Sequence, residues 1–202
     1  MFLSPFLILK NMACDVTMGR LESCKDSISG LLNIYFANYG DLASETAVYG
    51  AAELSDSIAT WDPVGATALN LYKYELKGAN GFEQTIQTSR DNGTTFYEQV
   101  LTVQLKTQNA ATTKQVKLLA AGRPRVIVET RNHQFFLVGL DQGADLTAGS
   151  ISSGQNMGDF NGYNLTFTAM EKLPANFINC TTQTQLCTVF ANGALPAVVV
   201  TA

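Results

Sequence analysis

LYKYELKGANGFEQTIQTSRDNGTTFYEQVLTVQLKTQNAATTKQVKLLAAG, residues 71–122, decides the reading of this chain. Tyr72, Tyr74 and Leu76 alternate with Lys73, Glu75 and Lys77, the period-two pattern of a strand with one wetted face. After a break at 78–81, Phe82 and Ile86 fall on one side of a second strand, and Glu83, Thr85 and Gln87 on the other. Arg90-Asp91-Asn92-Gly93 predicts a hairpin, because Asn-Gly tolerates the positive φ values of a type I′ turn. The return strand spans 95–106, with Leu101, Val103 and Leu105 facing one way. It is long for a strand. Its start, 95–99, is polar on both faces and is expected to project beyond the core, where its edges need a partner. A helix over 109–121 follows, with Thr112 and Gln115 at capping-box spacing and Val116, Leu119 and Ala120 as its apolar stripe. Gly122 and Pro124 end it.

Outward from this stretch the chain continues in strands. Residues 31–36 form an apolar, partly β-branched run that reads as a buried strand, closed by Gly40-Asp41. Short strands are expected near 46–49 and 57–61, with Trp61 as a core or interface anchor beside the turn Asp62-Pro63-Val64-Gly65. Downstream, 125–129 and 135–140 make a second hairpin around Arg131-Asn132-His133-Gln134. The Gly- and Ser-rich stretch 139–162 reads as turns and bulges. Residues 164–171 read as the last strand, Leu165, Phe167 and Ala169 inward and Thr166 and Thr168 outward, stopped at Pro174. Beyond 175 the composition drifts to Asn, Thr and Gln, and a small hairpin or loosely held tail is expected.

Composition agrees with a β-rich α+β class. The 202 residues suffice for one well-buried core, 46% are hydrophobic and only 15% charged, and the polar share is Thr, Gly, Asn and Gln rather than the Glu, Lys and Arg of helix surfaces. A net charge of −4 and a pI near 4.9 argue against a dedicated nucleic-acid binder. A mildly acidic wall would instead let nucleic acid slide past without sticking. His133 is the only histidine and sits in a turn without a recognisable nucleophile. The Cys14/Cys24 and Cys180/Cys187 spacings do not fit a zinc knuckle. Those two pairs are read either as local disulfides or as free thiols. Asp141 and Asp145 read as surface charges on a loop. With no nucleotide loop, metal cluster or nucleophile elbow, the sequence predicts neither an enzyme nor a cofactor.

The two ends carry their own signals. Residues 1–9, MFLSPFLIL, are apolar but lack the positive segment of a secretory signal. Cys14 stands where a lipoprotein cysteine would, though its neighbours fit poorly, and Met12 as the true first residue is the reading favoured here. The patterns at Asn92, Asn164 and Asn179 match glycosylation acceptors, a short signal common in Thr- and Asn-rich chains. No stretch reaches the ~20 apolar residues of a membrane span.

Five segments together carry a family resemblance. They are MACDVTMGRLESCKDSISGLLNIYFANYGD (12–41), YKYELKGANGFEQTI (72–86), SRDNGTTFYEQVLTVQLK (89–106), KQVKLLAAGRPRVIVE (114–129) and FFLVGLDQGADLTAGSISSGQNMGDFNGYNLTFTAMEKLPANFI (135–178). The chain resembles virion structural proteins of tailed bacteriophages of Bacteroidetes-type hosts, whose members look like tail-tube subunits. The likeness covers most of 12–178. Residues 1–11 depart from it as an extension or misplaced start, and 179–202 lie beyond it as a C-terminal extension. The resemblance implies a β-sandwich or small barrel of antiparallel strands with one flanking helix and an extended hairpin. It further implies copies, six to a ring, stacking into a tube of the virion tail, assembled in the host cytoplasm alongside other tail and neck proteins. DNA would pass through the lumen without specific binding, and no membrane would take part. Under this resemblance the inter-subunit contacts are expected at Arg90, Asp91, Asn92, Gly93, Thr94 and Phe96 of the hairpin, and at Arg20 and Lys25 of the N-terminal segment. Two other readings compete: a neck connector or terminator ring, and a secreted or lipid-anchored β-sandwich binding module.

Overall fold

The computed structural model describes residues 19–22, 24–25, 27–50, 56–65, 68–191 and 195–201. Along the chain run β1 (Leu31–Ala37), β2 (Leu42–Tyr49), β3 (Ser57–Pro63), β4 (Asn70–Glu75), β5 (Gly81–Ser89) and β6 (Thr94–Lys106). Then come α1 (Ala110–Ala121), β7 (Arg125–Thr130), β8 (Phe135–Val138), β9 (Asp145–Ser152), β10 (Gly162–Glu171), β11 (Asn176–Ile178), α2 (Gln183–Val189) and β12 (Val198–Val200). The strands make two sheets: an eight-stranded one ordered β12-β4-β1-β7-β8-β11-β3-β2, and a four-stranded one ordered β5-β6-β10-β9. The fold is β-rich α+β, as the composition predicts.

The centre of the large sheet is buried on both faces, which is why β1, β7 and β8 read as nearly unbroken apolar runs rather than as alternations. Ile34, Phe36, Val126, Val128 and Val138 point to one side, where they meet Leu101, Val103, Leu165, Phe167 and Ala169 of the small sheet. Tyr35, Ala37, Ile127 and Leu137 point to the other, into a second core with Trp61, Leu71, Leu186 and Phe190. Two sheets packed face to face therefore supply only one of the two cores. The other is closed by the C-terminal segment.

That segment departs from the expected small hairpin or loosely held tail. β11 sits between β8 and β3, β12 adds to β4 in parallel, and α2 lays Leu186 and Val189 into the core, with Phe190 stacked 5.9 Å from Trp61. Residues 176–191 and 195–200 thus belong to the same packed body as the strands before them, and 164–171 is not the last strand. Cys180 and Cys187 are free thiols packed in or against this core. Burial pushes the Cys180 thiol up to about 12, which leaves it unreactive at neutral pH. Cys14 and the apolar 1–9 run lie outside the described residues.

Helix α1 begins one turn earlier than its capping-box reading. Asn109 is the N-cap and its Oδ1 accepts from Thr112 N at 2.6 Å. A shared hydroxyl fixes the same turn to the small sheet: Tyr163 Oη donates to Asn109 O (3.1 Å) and lies 2.6 Å from Thr113 Oγ1. Val116 is buried and Leu119 packs on the core, whereas Ala120, expected in the stripe, is exposed. A second helix, α2, was not expected.

Polar side chains also tie the sheets together. Buried Gln99 of β6 accepts from Gly139 N and donates to Leu173 O. Buried Glu171 of β10 accepts from Asp141 N (2.9 Å) and Gln142 N (2.8 Å) through one oxygen. Removal from water raises the Glu171 pKa above its ordinary 4.5, outweighing those two bonds, which pull it down. The folded state therefore holds this proton more tightly than the unfolded chain. Its stability is greatest below pH 4.5 as far as this group is concerned, and falls as pH rises through the raised folded value. Glu171→Gln keeps the accepting oxygen and removes the titration. Urea unfolding across this range is expected to show the wild type losing stability relative to the variant as pH rises; parallel curves would contradict this.

Candidate assembly surface

In the small sheet every neighbouring pair is antiparallel. Strands β5 and β10 therefore run one way and β6 and β9 the other. The two edge strands, β5 and β9, are nine and eight residues long and point in opposite directions. Neither contains a buried residue. β5 pairs with β6 through nine consecutive positions without a register shift, so its free edge is long and regular.

The large sheet treats its edges differently. β12 has only three residues, and β2 shifts register twice against β3. Short and bulged edges resist strand addition and long regular ones invite it; β5 is regular throughout, whereas β9 shifts register once against β10, at Thr147. The open edges of the small sheet carry apolar residues beside them: Ile86 on β5 is 61% exposed and Ile151 on β9 is 55% exposed. Both lie on the sheet's inward-facing side, as the registers Ile86↔Tyr97 and Tyr163↔Ile151 require.

The outward face of this sheet is a polar lattice. Across β5, β6, β10 and β9 the register brings Thr85 beside Glu98, Glu83 beside Val100, Thr102 beside Thr166, and Gln104 beside Asn164. Gln104 Nε2 donates to Asn164 Oδ1 at 3.1 Å, and the Thr147 and Thr168 hydroxyls lie 2.9 Å apart. The charges on this face are Glu83, Glu98 and Asp145 against Lys106. It is a mildly acidic, hydroxyl- and amide-rich surface.

The predicted contact residues fall in two places. Arg90, Asp91, Asn92 and Gly93 form the loop between β5 and β6 and are exposed. Thr94 opens β6, and Phe96 stands on the outward face, 38% exposed. β10 reaches only as far as Tyr97, so the hairpin end extends beyond its neighbour by three residues of β6, roughly 10 Å. The turn differs from type I′. Four loop residues separate Ser89 from Thr94, Gly93 N donates to Arg90 O at 3.3 Å, and within the loop only Gly93 has positive φ, at 62°. This is a four-residue loop closed by a left-handed glycine, with Asn92 in an ordinary conformation. Arg20 and Lys25 are exposed in the irregular segment before β1. That segment is held to the body where Ile28 N donates to Asn132 Oδ1, on the β7–β8 turn.

Catalytic groupings do not form among the described residues. His133, with φ 55°, turns its Nδ1 to Glu129 Oε1 at 3.2 Å. Glu129 is itself buried and accepts from Asn33 Nδ2 and Tyr35 Oη. Those contacts fix the carboxylate as part of the core's hydrogen-bonding. Asp145 lies on β9 rather than in a loop. Among the described residues no three His, Cys, Asp or Glu side chains converge on a metal position, and no helix is long and apolar enough to cross a membrane.

Sequence reasoning missed β9, one of the two edges on which this surface depends. Its residues, DLTAGSIS, include only Leu146 and Ile151 as large apolar side chains, because an edge strand has little core to face. The fold and surface together define a two-sheet β protein whose smaller sheet ends in two open edges of opposite direction. No protein-family model, curated protein or solved structure matches the chain.

Proposed function

We propose that this chain is a self-assembling structural subunit of a bacteriophage tail tube, forming stacked rings whose lumen conducts DNA. The observation that carries the reading is the pair of long open edges at opposite ends of one four-stranded sheet. Because β5 and β9 run in opposite directions, adding β9 of one copy to β5 of the next continues the antiparallel alternation. The same head-to-tail step repeats, and a repeated rotation closes a ring. Each closure removes two exposed edges.

Six copies, the number the resemblance implies, would give about 24 strands and a barrel on the order of 40–50 Å across between backbones. Its inner wall would be the outward face described above. Glu83, Glu98 and Asp145 there would repel phosphates, so a duplex would pass without sticking. The projecting β5–β6 loop and the segment holding Arg20 and Lys25 would reach the neighbouring ring. Nothing in this role calls for a cofactor or a catalytic group.

Negative-stain electron microscopy of the purified chain over a range of concentrations tests the reading. Long stacked tubes are the expected result. Isolated closed rings that never stack would favour a neck connector or terminator, and monomers at every concentration would overturn the assembly role altogether.

A further inference from the structure

A cleft of about 600 Å³ opens between the segment entering β1, the start of β5 and the β7–β8 turn. None of the residues lining it carries a formal charge. Its polar groups are mainly side-chain amides, and three of these share one arrangement. Asn80 Oδ1 accepts from Gln104 N at 2.7 Å, Gln84 Oε1 from Ala175 N at 2.7 Å, and Asn132 Oδ1 from Ile28 N at 3.0 Å. In each case a backbone N–H fixes the carbonyl end and leaves the NH2 group over. Asn80 is nine-tenths buried and its Nδ2 has no partner. That nitrogen is enclosed by the protein, so the amide donors open to the cleft are those of Gln84, Asn132 and Gln134. Gln134, on the same rim, makes no side-chain hydrogen bond among the described residues. Beside these amides stand two rings, Phe82 and Phe136, 6.1 Å apart and inclined at 45°.

We infer that this cleft binds a neutral saccharide. Fixed amide donors match the hydroxyl and ring oxygens of a sugar, which accept hydrogen bonds without carrying charge. Aromatic faces match its C–H surfaces, and the volume lies within the range of small-ligand sites. The absence of lining cations disfavours uronic acids and phosphates, whose charge would be desolvated without compensation. An extended peptide is the other neutral acceptor, but its side chains would need apolar pockets that these amides do not provide. The cleft borders the β5 edge that the proposed ring would join, since Phe82 and Gln84 share a face of that strand with Ile86, so sugar binding is measured on the unassembled chain.

The test is calorimetric and NMR titration of the full chain, below any assembly concentration checked by sedimentation. The ligands are neutral disaccharides of glucose, galactose, mannose and N-acetylglucosamine, with glucuronic acid and a threonine-rich hexapeptide for comparison. Saturable binding of at least one neutral disaccharide is expected, with shifts confined to the side-chain amides of Gln84, Asn132 and Gln134. Gln134→Ala changes an exposed side chain without internal partners, so its fold is retained, and it should weaken binding by about fivefold or more. No saturable binding at tens of millimolar, tighter binding of glucuronic acid, or binding of the peptide alone would each overturn the inference. Tube formation is scored separately on the same preparations, so loss of one property does not stand in for loss of the other.

Discussion

Arg125→Met is expected to lower the free energy of unfolding by about 3–5 kcal/mol. Arg125 opens β7 and is 2% exposed. Its Nε donates to Leu140 O at 2.9 Å, and one terminal nitrogen donates to Tyr39 O at 2.6 Å and Leu42 O at 2.7 Å. Two of these carbonyls, those of Tyr39 and Leu42, bracket the one turn that joins β1 to β2, and the third, of Leu140, follows β8. Burial pulls the Arg125 pKa down, yet a guanidinium keeps its charge at any ordinary pH. The charge is spread against the rings of Tyr39, 4.4 Å away, and Trp61, 5.3 Å away. Methionine fills much of the volume but leaves three buried acceptors without donors, each carrying a desolvation cost. Arg125→Lys should fall between, because a single ammonium cannot serve all three carbonyls as a planar fork does. Urea unfolding measures both. A midpoint for Arg125→Met within about 1 kcal/mol of wild type, at unchanged slope, would mean that other groups organise these turns.

The sequence was informative where side chains face one core or two and silent where a strand faces little. β6 and β10 were legible because Leu101, Val103, Leu165 and Phe167 alternate with Thr102, Thr166 and Thr168 across a sheet wetted on one side. The β7–β8 hairpin was legible from its continuous apolar runs on either side of a polar turn. β9 was hidden because its exposed edge supplies no alternation, and its Gly149 and serines imitate a loop. α2 is a different case, since its signal was present. Leu186, Val189 and Phe190 have helical spacing, and Thr182 with Gln185 has the capping-box pattern that the structure uses, Thr182 Oγ1 accepting from Gln185 N. The Asn-, Thr- and Gln-rich surroundings masked it, because a seven-residue helix exposes most of its surface. As for the candidate surface, the projecting hairpin was legible from a strand too long and too polar for its core. The pairing of that hairpin edge with a second open edge was not, since strand order within a sheet is a long-range property.

Ile86→Asp and Ile151→Asp should each abolish assembly while leaving the monomer folded, and their mixture should give a single defined product. Both side chains are more than half exposed in the single chain, so either change costs the monomer little, within about 0.5 kcal/mol. In the proposed ring both lie at the joint between copies, where an unpaired carboxylate would be buried. A penalty of about 3–5 kcal/mol raises the concentration needed for association by roughly two to four orders of magnitude. The mixture separates a head-to-tail joint from a symmetric one. A copy with a spoiled β5 edge keeps a sound β9, and a copy with a spoiled β9 edge keeps a sound β5. Those two sound edges can meet once, after which both free ends are spoiled and growth stops. Analytical ultracentrifugation of the equimolar mixture should therefore find a one-to-one heterodimer where neither variant alone dimerises. If β5 instead paired with β5 of another copy, the Ile151→Asp variant would still dimerise alone, and the mixture would contain that homodimer and no heterodimer. Tubes formed by either variant alone would remove these edges from the assembly joint.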